Sequence, residues 1–396
     1  MAEDAEATLA FELFAVERFM SENEVGVRLK FAESGVQPLT LRELLSLAGG
    51  DTPTQKLLDT LLDYPEVNGS RPLREIIARL YDEPDADNVL VTVGASEANF
   101  ILANSLAQEC GAEIAVLMPA YMQFAGSARN SAARNNVRPF YLDGTKSWAL
   151  DKTSLEKAVS SNTRVISVVD PNNPTGHILS NDERACILAA AKRVSAWLVV
   201  DEVYAGAEVE GAHETPSWYS LGYEKTICVG SLSKAFGLPG LRLGWLIGPR
   251  EVITRAWYRH EYVSISASAL SMELATFALT EPTRAKIIQR SRDLIRGGWP
   301  LVEDMINRSQ GILSATKPAA SAMCFIQYAL RIPSSTLAMR LLKEKEVLVV
   351  PGSGFRGGEH HFRFSYALPH DILSEGITRI LDLLLQIRSE EASTGT

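Results

Sequence analysis

The sequence predicts an α/β fold: a largely parallel sheet with helices on both faces, followed by a smaller α+β domain. Three observations predict it. Between residues 89 and 231, short apolar runs alternate with helix-length segments, the rhythm of strand–helix–strand units in parallel sheets. Past residue 250 that rhythm loosens, and two long helical stretches surround shorter strands. The chain of 396 residues is also longer than a single core usually organises and suits two domains.

Taken in order, residues 1–30 read as helical but weakly periodic, ending in "SENEVGVRLKF". "LTLRELLSLAGG" is a short helix closed by glycines. "RPLREIIARLY" is another, with Pro72 suited to a first turn. "VLVTV" then reads as a strand and "SEANFILANSLAQECG" as a helix. The runs "EIAVLM", "VRPFYL" and "RVISVVD" are three strands separated by helix-length segments. The helix "NDERACILAAAKRVS" leads to the strand "AWLVVDE", and "KTICVG" is a further short strand. Beyond it, helices near 281–307 and 370–389 surround "MCFIQYAL", "VLVV" and "HFRFSYA". The expected division is an N-terminal segment at 1–45 packing with the small domain, a large domain at 46–275 and a small α+β domain at 276–396. The tail "SEEASTGT" reads as disordered.

Composition narrows the function. Hydrophobic residues make up 46% and charged residues 22%, as in an ordinary globular protein. The net charge of −9 argues against a nucleic-acid or anionic-membrane partner. No uncharged apolar run is long enough to span a bilayer. The opening "MAEDAEATLAFELF" lacks the basic-then-apolar pattern of a signal peptide. Cys110, Cys186, Cys228 and Cys324 are far apart, with no CxxC pair and no histidine cluster. They read as reduced structural thiols of a cytoplasmic protein, and no metal site is expected.

In open α/β sheets, ligands bind beyond the carboxyl ends of the strands. After "VLVTV" comes "GASEA", opening a helix whose first backbone N–H groups, with Ala95 and Ser96, suit an anion. After "EIAVLM" comes "PAY", where Tyr121 offers a platform for a flat ligand. After "RVISVVD" comes "PNNPTG", a rigid turn that presents the Asn173 amide. After "AWLVV" comes "DEVY": Asp201 ends a buried strand and needs a positive partner, and Tyr204 follows three residues on. After "KTICVG" comes "SLSKAFGLPGLRLG", with Ser231, Ser233, Lys234 and Arg242. An anion cradle, an aromatic, an amide, a buried carboxylate and a lysine with an arginine suit a phosphorylated, cationic heteroaromatic held covalently by lysine.

These motifs, with "YPEVNGSRPLRE" before them and "FRFSYA" after, resemble the fold-type-I pyridoxal 5′-phosphate (PLP) enzymes of the class I/II aminotransferase family. They run from residue 64 to 366 in the family's order. The resemblance implies a large domain with a mostly parallel seven-stranded sheet, a smaller α+β domain, and PLP as cofactor. It implies that Lys234 forms the Schiff base and moves the α-proton, and that Asp201, with a depressed pKa, pairs with the ring nitrogen. Tyr204 and Asn173 would bond the phenolic oxygen, and Tyr121 would stack on the ring. Ser231, Ser233, Arg242, Ala95 and Ser96 would hold the phosphate. Tyr64 would reach the phosphate of a neighbouring subunit, which implies a homodimer with shared active sites. Arg363 would clamp the substrate carboxylate, with Gly35 offering its N–H and Asn173 alongside.

The implied activity is an aminotransferase acting on an L-amino acid and a 2-oxo acid. The alternative is elimination with cyclisation, or oxidation, of an arginine-like amino acid. It follows from "FELF" and "SGVQ", a stretch similar to the capreomycidine synthase-like branch and, more loosely, to PLP-dependent arginine oxidases. In that alternative Glu12 would meet a guanidinium.

Overall fold

The structure, a computed structural model, describes residues 11–83, 85–106, 112–131, 136–211 and 214–394. Cys110 lies outside the described residues. The first described helix, Ala15–Asn23, leads to a two-residue strand, β1 (Leu29–Lys30). Eight strands form the central sheet: β2 (Val89–Thr92), β3 (Glu113–Met118), β4 (Val137–Asp143), β5 (Ala149–Leu150), β6 (Thr163–Val169), β7 (Trp197–Asp201), β8 (Thr226–Ser231) and β9 (Gly244–Ile247). Their order is β2-β9-β8-β7-β6-β3-β4-β5. Strands β4, β3, β6, β7 and β8 run parallel. β9 is antiparallel to both its neighbours, and β5 folds back on β4.

Successive side chains of a strand point to opposite faces, so this sheet feeds two cores. Ala115, Leu117, Leu198, Val200 and Cys228 enter one core. Ile114, Val116, Val199, Ile227 and Val229 enter the other. Burial on both faces is why these strands read as continuous apolar runs rather than alternating ones. Chain order reverses between β3 and β6, which places the ligand crevice at the carboxyl ends around that point.

The expectation of seven strands is corrected to eight among the described residues. The additional strand is β5, two residues that pair only with β4. The sequence reading also passed over β9, whose four residues "GWLI" follow a glycine-rich loop and are too short to show a period. The tail is corrected as far as residue 394; Gly395 and Thr396 lie outside the described residues. A single helix runs from His370 to Thr394, because Ile377, Ile380, Leu381, Leu384 and Ile387 bury one helical stripe.

A second, antiparallel sheet has the order β10-β11-β14-β13, from β10 (Leu313–Ser314), β11 (Met323–Tyr328), β13 (Val350–Pro351) and β14 (His361–Ser365), with β12 (Val347–Leu348) just before β13. β1 pairs in parallel with β12. The N-terminal segment continues across this sheet: Phe31 N–H donates to the Leu348 carbonyl at 2.8 Å, and Ser365 N–H to the Phe31 carbonyl at 2.9 Å. Residues 31–37 are thereby brought over the carboxyl ends of the central strands, before Thr40 starts the helix Leu41–Leu47 with a reciprocal capping box.

Candidate active site

A cavity of about 300 Å³ opens at the carboxyl ends of β6, β7 and β8. Of the residues named from sequence, Ala95, Ser96, Tyr121, Asn173, Asp201 and Tyr204 line it, and so do Ser231, Ser233, Lys234, Arg242 and Arg363. Three named residues do not. Tyr64 is 78% exposed on the surface. Gly35 lines an adjoining recess, where an added Cβ would lie 3.1 Å from the Ser233 carbonyl. Glu12 is turned away: its carboxylate pairs with Arg129 and, at 3.0 Å, with Arg356.

At the anion end, the helix Gly94–Leu106 points its first turn at Arg242. Arg242 itself has a left-handed backbone, φ +48°, an unusual conformation for a non-glycine residue. A Cβ at Gly94, whose φ is +73°, would sit 2.7 Å from Arg242 Nη2. Only glycine therefore lets the guanidinium close on the helix N-terminus. Helix dipole and guanidinium together make a cationic corner. Ser231 is fixed nearby, with its Oγ accepting from Ser233 N–H at 2.9 Å.

At the centre, Asp201 ends β7 and is 8% exposed. Its carboxylate accepts from Asn99 Nδ2 at 2.7 Å and from Val203 N–H at 3.2 Å, both neutral donors. The expected depressed pKa is not what this setting gives. Burial pushes Asp201 up to about 6, and the two hydrogen bonds and the Lys234 charge only partly offset it. Lys234 follows β8, and among the described residues no hydrogen bond or ion pair holds its amine. Burial lowers its pKa; the Glu33 carboxylate opposes this and the Arg363 guanidinium reinforces it.

At the far end, Arg363 on β14 is 2% exposed. Its Nη1 donates to Asn173 Oδ1 at 3.1 Å and its Nη2 to the Ala32 carbonyl, while Nε has no partner among the described residues. Guanidinium can only donate, so it fixes the amide of Asn173 with oxygen inward. Asn173 Nδ2 then donates to Tyr204 Oη at 2.9 Å. The Ser34 side chain is a second hydrogen-bond partner of the Tyr204 hydroxyl. Burial raises Tyr204 to about 12, so it stays a donor at any working pH.

Asn99, which bonds Asp201 from behind the cavity, and three lining glutamates have no counterpart in the sequence reading. Asn99 lies four residues after Ala95, on the same face of a largely apolar helix; a lone amide on that buried face was the available signal. Glu17, Glu24 and Glu33 line the cavity. Tyr121 Oη donates to Glu17 Oε1 at 2.6 Å, and the Phe14 ring lies 4.8 Å from that of Tyr121. No local pattern marks these glutamates, since the crossing of the N-terminal segment places them. Among the described residues none of the three forms a salt bridge.

The family model described as aminotransferase class I and II matches residues 51–380. Capreomycidine synthase of Streptomyces vinaceus is 29% identical over 96% of this chain and 96% of its own length. A probable N-succinyldiaminopimelate aminotransferase of Mycobacterium tuberculosis is 30% identical over 80% of this chain and 84% of its own. The crystal structure of a PLP-dependent aminotransferase from Streptococcus suis superposes with a TM-score of 0.87 at 26% identity, covering 95% of this chain and 98% of that one.

Proposed function

Because the chain belongs to the class I and II aminotransferases, we propose that this cavity is its PLP site and that it moves the amino group of an L-amino acid to a 2-oxo acid. The enzyme is PLP-dependent, as its family is. The observation that carries the reading is the convergence of Lys234, Asp201 and the Arg363–Asn173–Tyr204 chain in one cavity. The residues fit the cofactor. The corner made by Gly94 and Arg242 suits its phosphate, with Ser231, Ser233, Ala95 and Ser96. The buried Asp201 carboxylate, met only by neutral hydrogen-bond donors, suits its protonated ring nitrogen. PLP, when bound, supplies an electron sink that acidifies the Cα–H bond of an amino acid.

The chain's own residues do the rest. Lys234 Nζ holds the cofactor, and once released takes up and returns the Cα proton. Asp201 keeps a proton on the ring nitrogen, and Asn99 holds the carboxylate in place. Tyr204 donates its phenolic hydrogen, with Asn173 setting its angle. Arg363 grips the substrate carboxylate, which sets the Cα–H bond for transfer. Tyr121 walls the ring face. Gly35 borders the substrate through the adjoining recess.

A second reading has its own observation. Glu17, Glu24 and Glu33 line the cavity and, among the described residues, form no salt bridge; they suit a cationic side chain. They replace Glu12 in that role. With the full-length similarity to capreomycidine synthase, they favour an arginine-like substrate, on which the same site performs elimination with cyclisation, or oxidation. One experiment separates the readings. The holoenzyme is given the amino acid without any 2-oxo acid. Transamination stops after one equivalent of oxo acid per site; cyclisation or elimination continues to turn over.

Quaternary structure belongs to the proposal. Leu58, Leu61, Leu62 and Tyr64 are each more than 70% exposed, and Tyr262 is 94% exposed. So much exposed apolar surface suits a second copy of the chain, with Tyr64 reaching the partner's phosphate corner. The two separate sheets support a division of the chain near residues 45 and 275. A cytoplasmic setting suits the free thiols of Cys186, Cys228 and Cys324.

A further inference from the structure

We propose that the buried Glu97–His260 pair is a positioning clasp, whose two separable arms set the phosphate corner and the Tyr64 loop from one imidazole ring. The inference rests on the reading of the Gly94–Leu106 N-terminus as the phosphate corner and of Tyr64 as the partner's ligand.

Glu97 sits one turn into that helix and is 6% exposed. Its Oε2 accepts from Val93 N–H at 2.6 Å, which anchors the carboxylate beneath the residues that open the helix. Its Oε1 accepts from Ser264 Oγ at 2.7 Å and lies 2.9 Å from His260 Nδ1. The other ring nitrogen, Nε2, lies 3.1 Å from the carbonyl oxygen of Val67, three residues along the chain from Tyr64. A carboxylate and a carbonyl oxygen only accept, so each ring nitrogen faces an acceptor. The loop is pinned once more where Val91 N–H donates to the Asn68 carbonyl at 3.1 Å.

His260 is fully buried on the helix Arg250–Val263, whose outer face carries the exposed Tyr258 and Tyr262. One line of hydrogen bonds therefore runs from the helix that faces the phosphate, through carboxylate and imidazole, to the loop that leaves for the partner. Neither Glu97 nor His260 lines the cavity, so the clasp acts on position alone. Removing one partner of so buried a pair leaves the other unsatisfied.

The two arms can be cut separately, because the amide nitrogen of asparagine stands near where Nδ1 stood and that of glutamine near where Nε2 stood. His260→Asn keeps the donor to Glu97 and releases Val67; His260→Gln does the reverse. PLP affinity is read by absorbance titration and the monomer–dimer equilibrium by sedimentation, both on the full chain. The expected result is a split. His260→Gln loosens PLP about tenfold and dimerises as wild type, whereas His260→Asn loosens the dimer about tenfold and binds PLP as wild type when held dimeric. Variants that shift both equilibria in equal measure, or neither, overturn the clasp. Should the histidine variants fail to fold, Glu97→Gln reads the same arm as His260→Gln, and an unchanged PLP affinity in it is equally fatal. A wild-type protein that takes up no PLP overturns the reading of the site instead.

Discussion

Asp201 carries a cost that its function explains. A carboxylate buried at the end of β7 with neutral donors holds its proton up to about pH 6, so between the unfolded value of 3.8 and that point the folded protein binds more protons than the unfolded one. Stability from this group is therefore greatest at low pH and falls as pH rises through the window. Asp201→Asn removes the cost. In urea denaturation of the cofactor-free protein, the variant should gain on wild type from pH 4 to 6, levelling above that at on the order of 3 kcal/mol; an unchanged difference across pH refutes the assignment. The same substitution should lower kcat of the holoenzyme by orders of magnitude, since asparagine cannot hold the ring proton. At the other end of the cavity, Arg363→Lys keeps the charge and loses the fork. It should raise KM for the amino acid by about tenfold or more, and an unaltered KM would remove Arg363 from substrate binding. Glu17→Gln should weaken cationic amino acids selectively in a competition assay; equal loss for neutral ones would place Glu17 in packing instead.

At the scale of elements, the site is made where loops leave strands, and that is what made most of it legible. Lys234, Asp201, Asn173 and Tyr121 each follow an apolar run long enough to read as a buried strand, so their polarity stood out. Arg363 was readable within "FRFSYA", a strand of the second sheet. What could not be read was placed by long-range crossings. Glu17 and Glu33 reach the cavity because the Phe31 and Ser365 backbones pair, a register that no local pattern announces. Glu12 shared their segment and their chemistry, yet its carboxylate is taken by Arg129 and Arg356. β9 escaped notice because four residues are too few for a period. The element most open to a clean test is the start of the Gly94–Leu106 helix. Gly94→Ala adds a Cβ 2.7 Å from Arg242 Nη2 at a backbone φ of +73°. PLP affinity should fall at least tenfold, with the far-UV spectrum unchanged; wild-type affinity would show that the phosphate lies elsewhere.

Over the whole molecule, two sheets and a crossing N-terminal segment enclose the cavity, and on the proposed dimer the exposed Tyr64 would complete it in a second copy. Dilution should therefore cost PLP as well as the dimer, with Tyr64→Phe releasing cofactor faster at a concentration where wild type remains dimeric. The proposed chemistry passes through one covalent attachment, at Lys234. The direct measurement is borohydride reduction of the PLP-loaded protein followed by peptide mass mapping. A single phosphopyridoxyl group on the peptide that holds Lys234 is the expected result. A protein that carries no reducible cofactor, or carries it on another lysine, would contradict it.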